Sequence, residues 1–414
     1  MCVQQDRLIH RLNALGEIGA TPEGGVTRLA YTPAYRQAEE LVRTWMEEAG
    51  LNTRIDAVGN LIGRREGRQP GTPCIMLGSH IDTVTNGGRY DGALGVISAI
   101  EVAQALQEDG VSLDVPLEVV AFMDEEGTRW KSGLFGSRAM AGLLSEEDLQ
   151  RRDGNGVVRM EAMRAWGLDV AQWRRAARDP EEVGYYLELH IEQGSVLERE
   201  GLAVGVVTDI VGLLLLAIHL RGRADHAGAT PMGPLRHDAL LGAAEVALAA
   251  EATAQATSPT CVATVGRLEI HPGVFNVIPG EAFLTLDLRD IDEGARDRAE
   301  ARIHQAIHGI CQKRGLTAEV EELQRAQPTP MSPLMIEAIS SVCARMGLPV
   351  YRLPSGAGHD AQIMAKLAET GMIFVRCRDG ISHSPAEYVD PEDACLGARV
   401  LYETVLSLGV EKLA

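Results

Sequence analysis

The sequence predicts an α/β protein: a mostly parallel sheet flanked by helices, with an inserted ferredoxin-like unit. Two observations predict this class. Short apolar strand patterns, such as Cys74–Leu77, alternate with helical patterns of about 15 residues, as they do in parallel α/β sheets. From residue 210 the order becomes β-α-β-β-α-β, the pattern of a ferredoxin-like sandwich. We therefore expect a first domain at 1–209 and 328–414, and a second at 210–327.

The elements of the first domain follow from hydrophobic periodicity and from helix-ending residues. Gly50, for example, is well placed to end the second helix. Helices are predicted at 4–16, 33–49, 332–346, after 358 and from 391, and strands as a pair within 54–67 and singly within 74–77, 115–123, 185–194 and 371–377.

The second domain has four strand patterns and two long helical patterns. Its strands are predicted within 211–224, 260–270, 281–291 and 316–323, and its helices at 238–256 and 293–314.

Composition excludes several classes of function. The net charge of -19 repels phosphate backbones and anionic lipid, so neither nucleic acid nor a membrane is an expected partner. No run approaches the ~20 apolar residues of a membrane span, and we expect a cytoplasmic protein. The seven cysteines form no CxxC pair, which argues against a disulfide framework or a thiolate zinc site.

The stretch 78–92, GSHIDTVTNGGRYDG, has a composition that suits a divalent cation. His80 and Asp82 lie two apart at a strand end and share one face of the pleat. Asp91 follows a Gly/Asn-rich loop and precedes an apolar helix. Histidine with carboxylates binds hard or borderline divalent ions. The alternative is a polar strand end with a solvated turn and an N-cap aspartate.

Three consecutive acids, Asp124, Glu125 and Glu126, end the apolar strand VPLEVVAFM. Carboxylates in such a place repel one another and need a compensating cation. Because Glu125 and Glu126 point to opposite sides, one can bind metal while the other moves a proton. The alternative is an acidic loop that begins at Gly127.

Two further histidines complete a candidate set. His190 has Glu188, Glu192 and Gln193 nearby as acceptors that could orient its second nitrogen, although a lone histidine of this kind is more often structural. His383 lies in a Gly/Ser/Pro loop, where packing does not explain it. Two ions with three protein ligands each, sharing one carboxylate, account for the set His80, Asp91, Glu126, His190 and His383, with Glu125 beside it. Such ligands tolerate zinc, manganese, cobalt or nickel.

Eight segments together resemble one family. The segments are GSHIDTVTNGGRYDG, MDEEGTRW, ELHIEQG, DHAGATPM, VFNVIPGE, LDLRD, SGAGHDA and DGISHSPAE. They are similar to the dinuclear amidohydrolase branch of the zinc aminoacylase/carboxypeptidase family. That branch includes N-carbamoyl-L-amino-acid hydrolases, allantoate amidohydrolases and ureidopropionases. The similarity extends over nearly the whole chain.

The resemblance implies a role for each matching residue. One ion would be bound by His80, Asp91 and His190, and the other by Asp91, Glu126 and His383. Glu125 would be the general base and Asp82 the carboxylate behind His80. The second domain would be a lid and dimerisation domain, whose His226 stabilises the oxyanion and, in relatives, reaches the opposite subunit. The implied substrate contacts are Gln193, Asn276 and Arg289, with Arg289 binding the substrate carboxylate.

Without the resemblance, the residues of the second domain and of the glycine-rich loop have alternative interpretations. Arg289 alternates with Asp287 on a strand and could form a cross-strand salt bridge. Asn276 is a common turn residue, and His226 could be an ordinary loop histidine. The glycine-rich loop 355–359 could bring backbone N–H groups, at Gly356 and Ala357, near a ligand carboxylate.

The reaction that this resemblance implies is hydrolysis of an N-carbamoyl-L-amino acid to the L-amino acid, ammonia and carbon dioxide. Allantoate or another ureido acid is the alternative substrate. A dipeptidase or aminopeptidase would use the same two ions, and a noncatalytic metal-binding module would lack Glu125. The apolar strand 213–220 and Trp130 depart from the family pattern and affect the expected pocket shape. A homodimer through residues 210–327 is expected.

Overall fold

The protein, described by a computed structural model for residues 3–69 and 71–410, divides into two compact units. The first unit runs to Thr208 and resumes at Met331, and the second is Asp209–Pro330. The predicted boundaries at 209/210 and 327/328 lie within three residues of these positions. The predicted outer ends at 1 and 414, and Cys2, lie outside the described residues. The other six cysteines are buried.

The described residues form the following strands: β1 (Asn52–Ile55), β2 (Leu61–Arg65), β3 (Cys74–His80), β4 (Leu117–Phe122), β5 (Val183–Ile191), β6 (Val204–Ile210), β7 (Gly212–Arg221), β8 (Asp225–His226), β9 (Val262–His271), β10 (Val277–Ile278), β11 (Glu281–Asp290), β12 (Thr317–Ala326), β13 (Thr329–Pro330), β14 (Arg352–Ser355) and β15 (Glu369–Val375). The α-helices are α1 (Gln5–Glu17), α2 (Pro33–Glu48), α3 (Ala93–Glu108), α4 (Phe135–Met140), α5 (Glu146–Gln150), α6 (Arg159–Trp166), α7 (Val196–Glu200), α8 (Ala239–Thr257), α9 (Glu293–Arg314), α10 (Pro333–Arg345), α11 (Asp360–Met364) and α12 (Pro391–Gly409). Short 3₁₀ helices occupy Val170–Ala176, Pro180–Glu182 and Arg378–Gly380.

A mixed sheet with a parallel centre organises the first unit. Its strand order is β1-β2-β4-β3-β5-β15-β6-β13, with β14 also paired to β6. The neighbours β4, β3, β5 and β15 are parallel, whereas β1, β2 and β6 pair antiparallel. The sheet is therefore parallel only at its centre, which corrects the expectation of a mostly parallel sheet. The carboxyl ends of the four parallel strands therefore lie together at one end of the sheet.

The central strands are mostly apolar and are covered by helices. Every residue of β3 and β4 is buried, as expected for parallel strands that are covered on both faces. Helix α3 packs on β3 and β5, and α12 packs on β15 and α3. Among the described residues, no helix is both long and apolar enough to cross a bilayer.

The second unit has the predicted β-α-β-β-α-β order. Its four-stranded antiparallel sheet has the order β12-β7-β11-β9, and α8 and α9 pack together. Along β7 the buried residues alternate, with Leu214, Leu216, Ile218 and Leu220 in a core of this unit alone. Of the four consecutive leucines, Leu214 and Leu216 thus belong to the core, whereas Leu213 and Leu215 are only partly buried.

Candidate metal centre

Four parallel strands deliver the candidate residues to one edge of the sheet. His80 is the last residue of β3, the acidic residues 124–126 follow β4, and His190 lies near the end of β5. The loop with His383 follows β15. Because β4, β3, β5 and β15 are adjacent, segments about 300 residues apart in sequence meet here, as expected for sites at the carboxyl ends of parallel strands.

Asp91 lies between two groups of side chains. Its Oδ1 is 3.2 Å from His190 Nε2 and 3.6 Å from His80 Nε2. Its Oδ2 is 3.3 Å from His383 Nε2, and that nitrogen is 3.5 Å from Glu126 Oε1. In each group, one ligand atom from each residue lies within 4.8 Å of the others. The two oxygens of the Asp91 carboxylate thus face two different groups of side chains.

Backbone carbonyls orient two of the imidazoles. His80 Nδ1 is 3.1 Å from the carbonyl oxygen of Asp82, and His190 Nδ1 is 2.9 Å from that of Ile191. Each Nδ1 must carry a proton for these contacts, so the Nε2 atoms face the carboxylates. The side chains of Glu188 and Glu192, expected to orient His190, instead accept hydrogen bonds from other groups. A main-chain acceptor replaces them.

The electrostatics of the cluster require positive charge. Burial opposes ionisation of Asp91, but its contacts with His190, His383 and His80 hold its pKa well below the usual value. Burial, and then the charge of Asp91, raise the pKa of Glu126 to about 7. The Asp91 contact is also the main cause that raises the pKa of His383 to about 9. Histidine nitrogens facing carboxylates at these distances need either protons or a cation.

The donor set fits two divalent ions. Each triad offers three atoms, and imidazole with carboxylate is the chemistry that zinc, manganese, cobalt and nickel accept. A third triad, Glu188, His190 and His359, is also close enough. However, Glu188 already accepts bonds from Ser79, Tyr186 and the Ala361 N–H. That third triad is therefore a satisfied buried network.

Glu125 lies beside His80. It belongs neither to the triad of His80, Asp91 and His190 nor to the triad of Asp91, Glu126 and His383. Its Oε2 is 3.6 Å from His80 Nε2, and its side chain is 11% exposed. Burial, together with the charge of Glu126, raises the pKa of Glu125 well above the usual value, although His80 acts in the opposite direction. The two glutamates are thus separated by a turn after the end of β4, where Asp124 has a left-handed φ, and not by the strand alternation that was expected.

Asp82 supports the acidic turn more directly than it supports His80. Its two oxygens accept the backbone N–H groups of Glu125 and Glu126, both at 3.1 Å. Its carboxylate is 3.7 Å from His80 Nδ1, which is beyond hydrogen-bond range. The contact with His80 is made by the Asp82 carbonyl.

Gln193 and the glycine-rich loop make contacts within the first unit. Gln193 Nε2 donates to Asp91 Oδ2 at 2.7 Å, and Gln193 Oε1 is a buried atom with no hydrogen-bond partner among the described residues. The Ala357 N–H donates to Ser355 Oγ at 3.1 Å. That N–H already has an acceptor within its loop, and the approach of this loop to a ligand carboxylate stays a prediction.

The remaining predicted residues belong to the second unit. His226 and Val277 pair across a two-stranded ribbon, where the Ala227 N–H donates to the Asn276 carbonyl at 3.0 Å. His226 Nδ1 accepts the N–H groups of Gly228 and Ala229, so its Nε2 carries the proton. Arg289 pairs with Asp287 through two hydrogen bonds of 2.8 and 2.7 Å. The pair lies within one strand, not across strands.

Several residues that contact Asp91 or Asp124 were not predicted from the sequence. Glu387 accepts the N–H of Asp91 at 3.1 Å, and Ser382 Oγ donates to Asp91 Oδ2 at 2.8 Å. Both lie in the segment GISHSPAE, so their proximity to His383 was the available signal. Arg159 forms a buried pair with Asp124 at 3.1 Å. No sequence signal indicated it, because its partner is 35 residues away.

Trp130 proves to be a packing residue. It is 2% exposed, donates from Nε1 to the Val157 carbonyl, and lies against the guanidinium of Arg159. Trp130 thus packs on the arginine that pairs with Asp124 in the acidic turn.

Comparison with known proteins gives concordant matches. The model of peptidase family M20/M25/M40 matches residues 76–407. An N-carbamoyl-L-amino acid amidohydrolase of Geobacillus stearothermophilus is 47% identical over 98% of this chain and 99% of its own. An allantoate deiminase of Arabidopsis thaliana is 37% identical over 94% of this chain and 80% of its own. The crystal structure of a hydantoinase/carbamoylase family amidase from Burkholderia multivorans is 37% identical, with a TM-score of 0.92 over 99% of both chains.

Proposed function

Because the chain belongs to peptidase family M20/M25/M40, we propose that it hydrolyses N-carbamoyl-L-amino acids to the L-amino acid, ammonia and carbon dioxide. The observation that carries the proposal is Asp91, whose two oxygens face separate triads completed by His80 with His190 and by Glu126 with His383. A full-length relative at 47% identity is an N-carbamoyl-L-amino acid amidohydrolase, which supports this substrate class.

The two triads would hold two divalent ions per subunit, of zinc, manganese, cobalt or nickel. When bound, the ions would polarise the ureido carbonyl and activate water. Glu125 is proposed to accept a proton from the attacking water and to return it to the leaving nitrogen, as a general base and then a general acid. Its place beside His80, without membership of either triad, supports this role.

Two groups near Asp91 would orient the substrate and the ligands. Gln193 Oε1, which has no hydrogen-bond partner within residues 3–69 and 71–410, is an acceptor suited to a ureido N–H group. Asp82 would keep the acidic turn in place through the N–H groups of Glu125 and Glu126.

In the second unit, His226, Asn276 and Arg289 are proposed substrate contacts. The Nε2–H of His226 is a donor suited to a developing oxyanion. The guanidinium of Arg289 is suited to a carboxylate, which it would take in place of, or shared with, Asp287. Arg289→Lys removes the planar fork, and we expect it to raise KM for the N-carbamoyl acid more than it lowers kcat.

The second unit is also proposed to form a homodimer. It exposes several large apolar side chains, among them Met232, Leu248 and Phe275, at 76%, 65% and 98% exposure. Its strand β9 is a sheet edge, and edges and apolar patches are places where subunits associate. Sedimentation of the active enzyme as a monomer alone would contradict this part.

Ammonia release is the test of the reaction. The metal-loaded protein is assayed with N-carbamoyl-L-methionine, with allantoate and with a methionine dipeptide, the last by release of free methionine. We expect the N-carbamoyl acid to be hydrolysed fastest and chelation to abolish turnover. Faster turnover of allantoate would assign the chain to that relative's reaction, and cleavage of the dipeptide alone would reject amidohydrolysis.

A further inference from the structure

A buried glutamate, Glu387, accepts the backbone N–H of Asp91. Glu387 is 5% exposed, and its Oε1 accepts the backbone N–H groups of Tyr90 and Asp91 at 2.8 and 3.1 Å. Its Oε2 accepts from Ser382 Oγ at 2.9 Å. These bonds join residues 297 positions apart in sequence and tie the loop after β15 to the turn that begins α3.

Gly88 makes room for this carboxylate. A Cβ atom at Gly88 would lie 2.0 Å from Glu387 Cδ, and its three nearest heavy atoms all belong to the Glu387 carboxyl group. Gly88 does not have the left-handed φ that would otherwise favour glycine. Space for Glu387 is therefore the visible reason for a glycine at this position.

Ser382 connects the glutamate to the side chain of Asp91. Its Oγ is 2.8 Å from Asp91 Oδ2 and 2.9 Å from Glu387 Oε2. A hydroxyl has one proton, so it donates to one of the two carboxylates at a time. Glu387 thus binds the backbone of Asp91 directly, and Ser382 links Glu387 to the Asp91 carboxylate.

We propose that Glu387 is a positioning residue that fixes Asp91 where its two oxygens face the two triads. The absence of a side chain at Gly88 leaves room for the Glu387 carboxyl group. The inference rests on the proposed metal centre. Groups that orient a ligand from behind typically change metal affinity about 10–100-fold when they are removed. Asp82 likewise accepts two consecutive N–H groups, those of Glu125 and Glu126, but with one oxygen for each.

Metal titration of the full-length protein tests the inference. EDTA-stripped parent, Glu387→Ala, Glu387→Gln and Gly88→Ala are titrated with Mn²⁺ by calorimetry. We expect Glu387→Ala and Gly88→Ala to bind Mn²⁺ about 10–100-fold more weakly. Glu387→Gln should stay close to the parent, because its amide oxygen can accept both N–H groups. Added Mn²⁺ should restore the turnover of Glu387→Ala.

Two control variants separate positioning from general destabilisation. Asp292→Ala removes a helix N-cap in the second unit, where Asp292 accepts the Ala295 N–H, and should lower the melting temperature without changing Mn²⁺ affinity. Gly154→Ala introduces a Cβ that meets nothing within 4 Å, and should change neither.

The outcomes distinguish this inference from the proposed function. Parent-like Mn²⁺ binding by Glu387→Ala or Gly88→Ala would overturn the positioning role and leave the metal centre intact. Equal loss in Glu387→Gln and Glu387→Ala, or turnover that added Mn²⁺ does not restore, would also overturn it. If the parent itself binds no Mn²⁺, the proposed metal centre fails and the inference fails with it.

Discussion

Carboxylates around Asp91 fall into two groups by what they contact. Glu126 faces His383, whereas Asp82 and Glu387 accept backbone N–H groups. A carboxylate that accepts N–H groups gains charge-assisted hydrogen bonds without a counterion. The N–H groups lower the pKa values of Asp82 and Glu387, but burial outweighs them and raises both pKa values above the usual range.

Replacement of Glu125 by glutamine tests its proposed role at the scale of one residue. We expect Glu125→Gln to bind metal like the parent, because Glu125 belongs to neither triad around Asp91. Turnover should fall about 10²–10⁴-fold, the usual contribution of a general base. Bound metal is measured on the purified variant, and kcat is measured with N-carbamoyl-L-methionine.

Glu126→Gln is the matched control, since it changes the neighbouring residue in the same way. Glu126 is a member of a triad with Asp91 and His383, so this variant should lose metal as well as turnover. The assignment of the two glutamates would have to be reversed if Glu125→Gln lost its metal and Glu126→Gln kept it.

Among the elements, the turn after β4 receives support from three directions. Asp124 has a left-handed φ of 59°, a conformation that aspartate tolerates better than most residues. The N–H groups of Leu134 and Phe135 donate to the carbonyls of Glu125 and Asp124. Arg159 of α6 reaches the Asp124 carboxylate and the Ser132 carbonyl. The turn is held by elements that take no part in the cluster.

We expect Arg159→Met to destabilise the protein strongly. The side chains of Arg159 and Asp124 are 0% and 1% exposed, and removal of one partner from a buried pair costs about 3–5 kcal/mol. Urea denaturation followed by circular dichroism measures the change. The control is Arg174→Met, because Arg174 and Glu146 are 65% and 79% exposed and such pairs contribute about 0–1 kcal/mol. Equal effects of the two substitutions would contradict the assignment.

The pH dependence of stability should reflect Glu118 of β4. Burial would raise its pKa, but Arg178 and Arg64, at 3.0 and 2.8 Å, hold the pKa below the usual 4.5. A group whose pKa is lower in the folded state stabilises it above the unfolded pKa, and this contribution disappears as the pH falls through the folded pKa.

Glu118→Gln should therefore melt at a lower temperature at pH 7 and lose less of its stability than the parent below about pH 4.5. Thermal melts between pH 3 and pH 7 provide the measurement. Parallel melting curves for the parent and the variant across this range would show that the ion pairs do not contribute in this way.

At the scale of the whole molecule, the chain has two separate hydrophobic cores. The second core consists of residues of the second unit alone, with Leu284, Leu286 and Leu288 of β11 at its centre. The pairs Ile210–Thr329 and Asp209–Pro330 bring the two ends of this unit side by side. A unit with its own core and adjacent ends meets the conditions for folding alone.

We expect residues 209–330, expressed as a fragment, to fold with a cooperative thermal transition. Leu286→Ala in the fragment should lower its stability by about 2–5 kcal/mol, because Leu286 is fully buried. Circular dichroism at rising temperature measures both proteins. A fragment without a cooperative transition would show that its stability depends on the first unit.

The sequence by itself determined the order of elements and most of the candidate ligands. Apolar strands such as β3 and β4 had to be covered on both faces, and polar residues at their ends had no packing reason to be there. These properties are local, because each follows from neighbours within a few residues along the chain.

Only the tertiary structure decided what holds those residues. The sequence did not show that Glu387 meets the N–H of Asp91, that Arg159 meets Asp124, or that a main-chain carbonyl orients His190. It also overstated the parallel part of the sheet, because the direction of an edge strand depends on connections and not on its own residues. Contacts between distant segments depend on how strands are ordered, which no local pattern encodes.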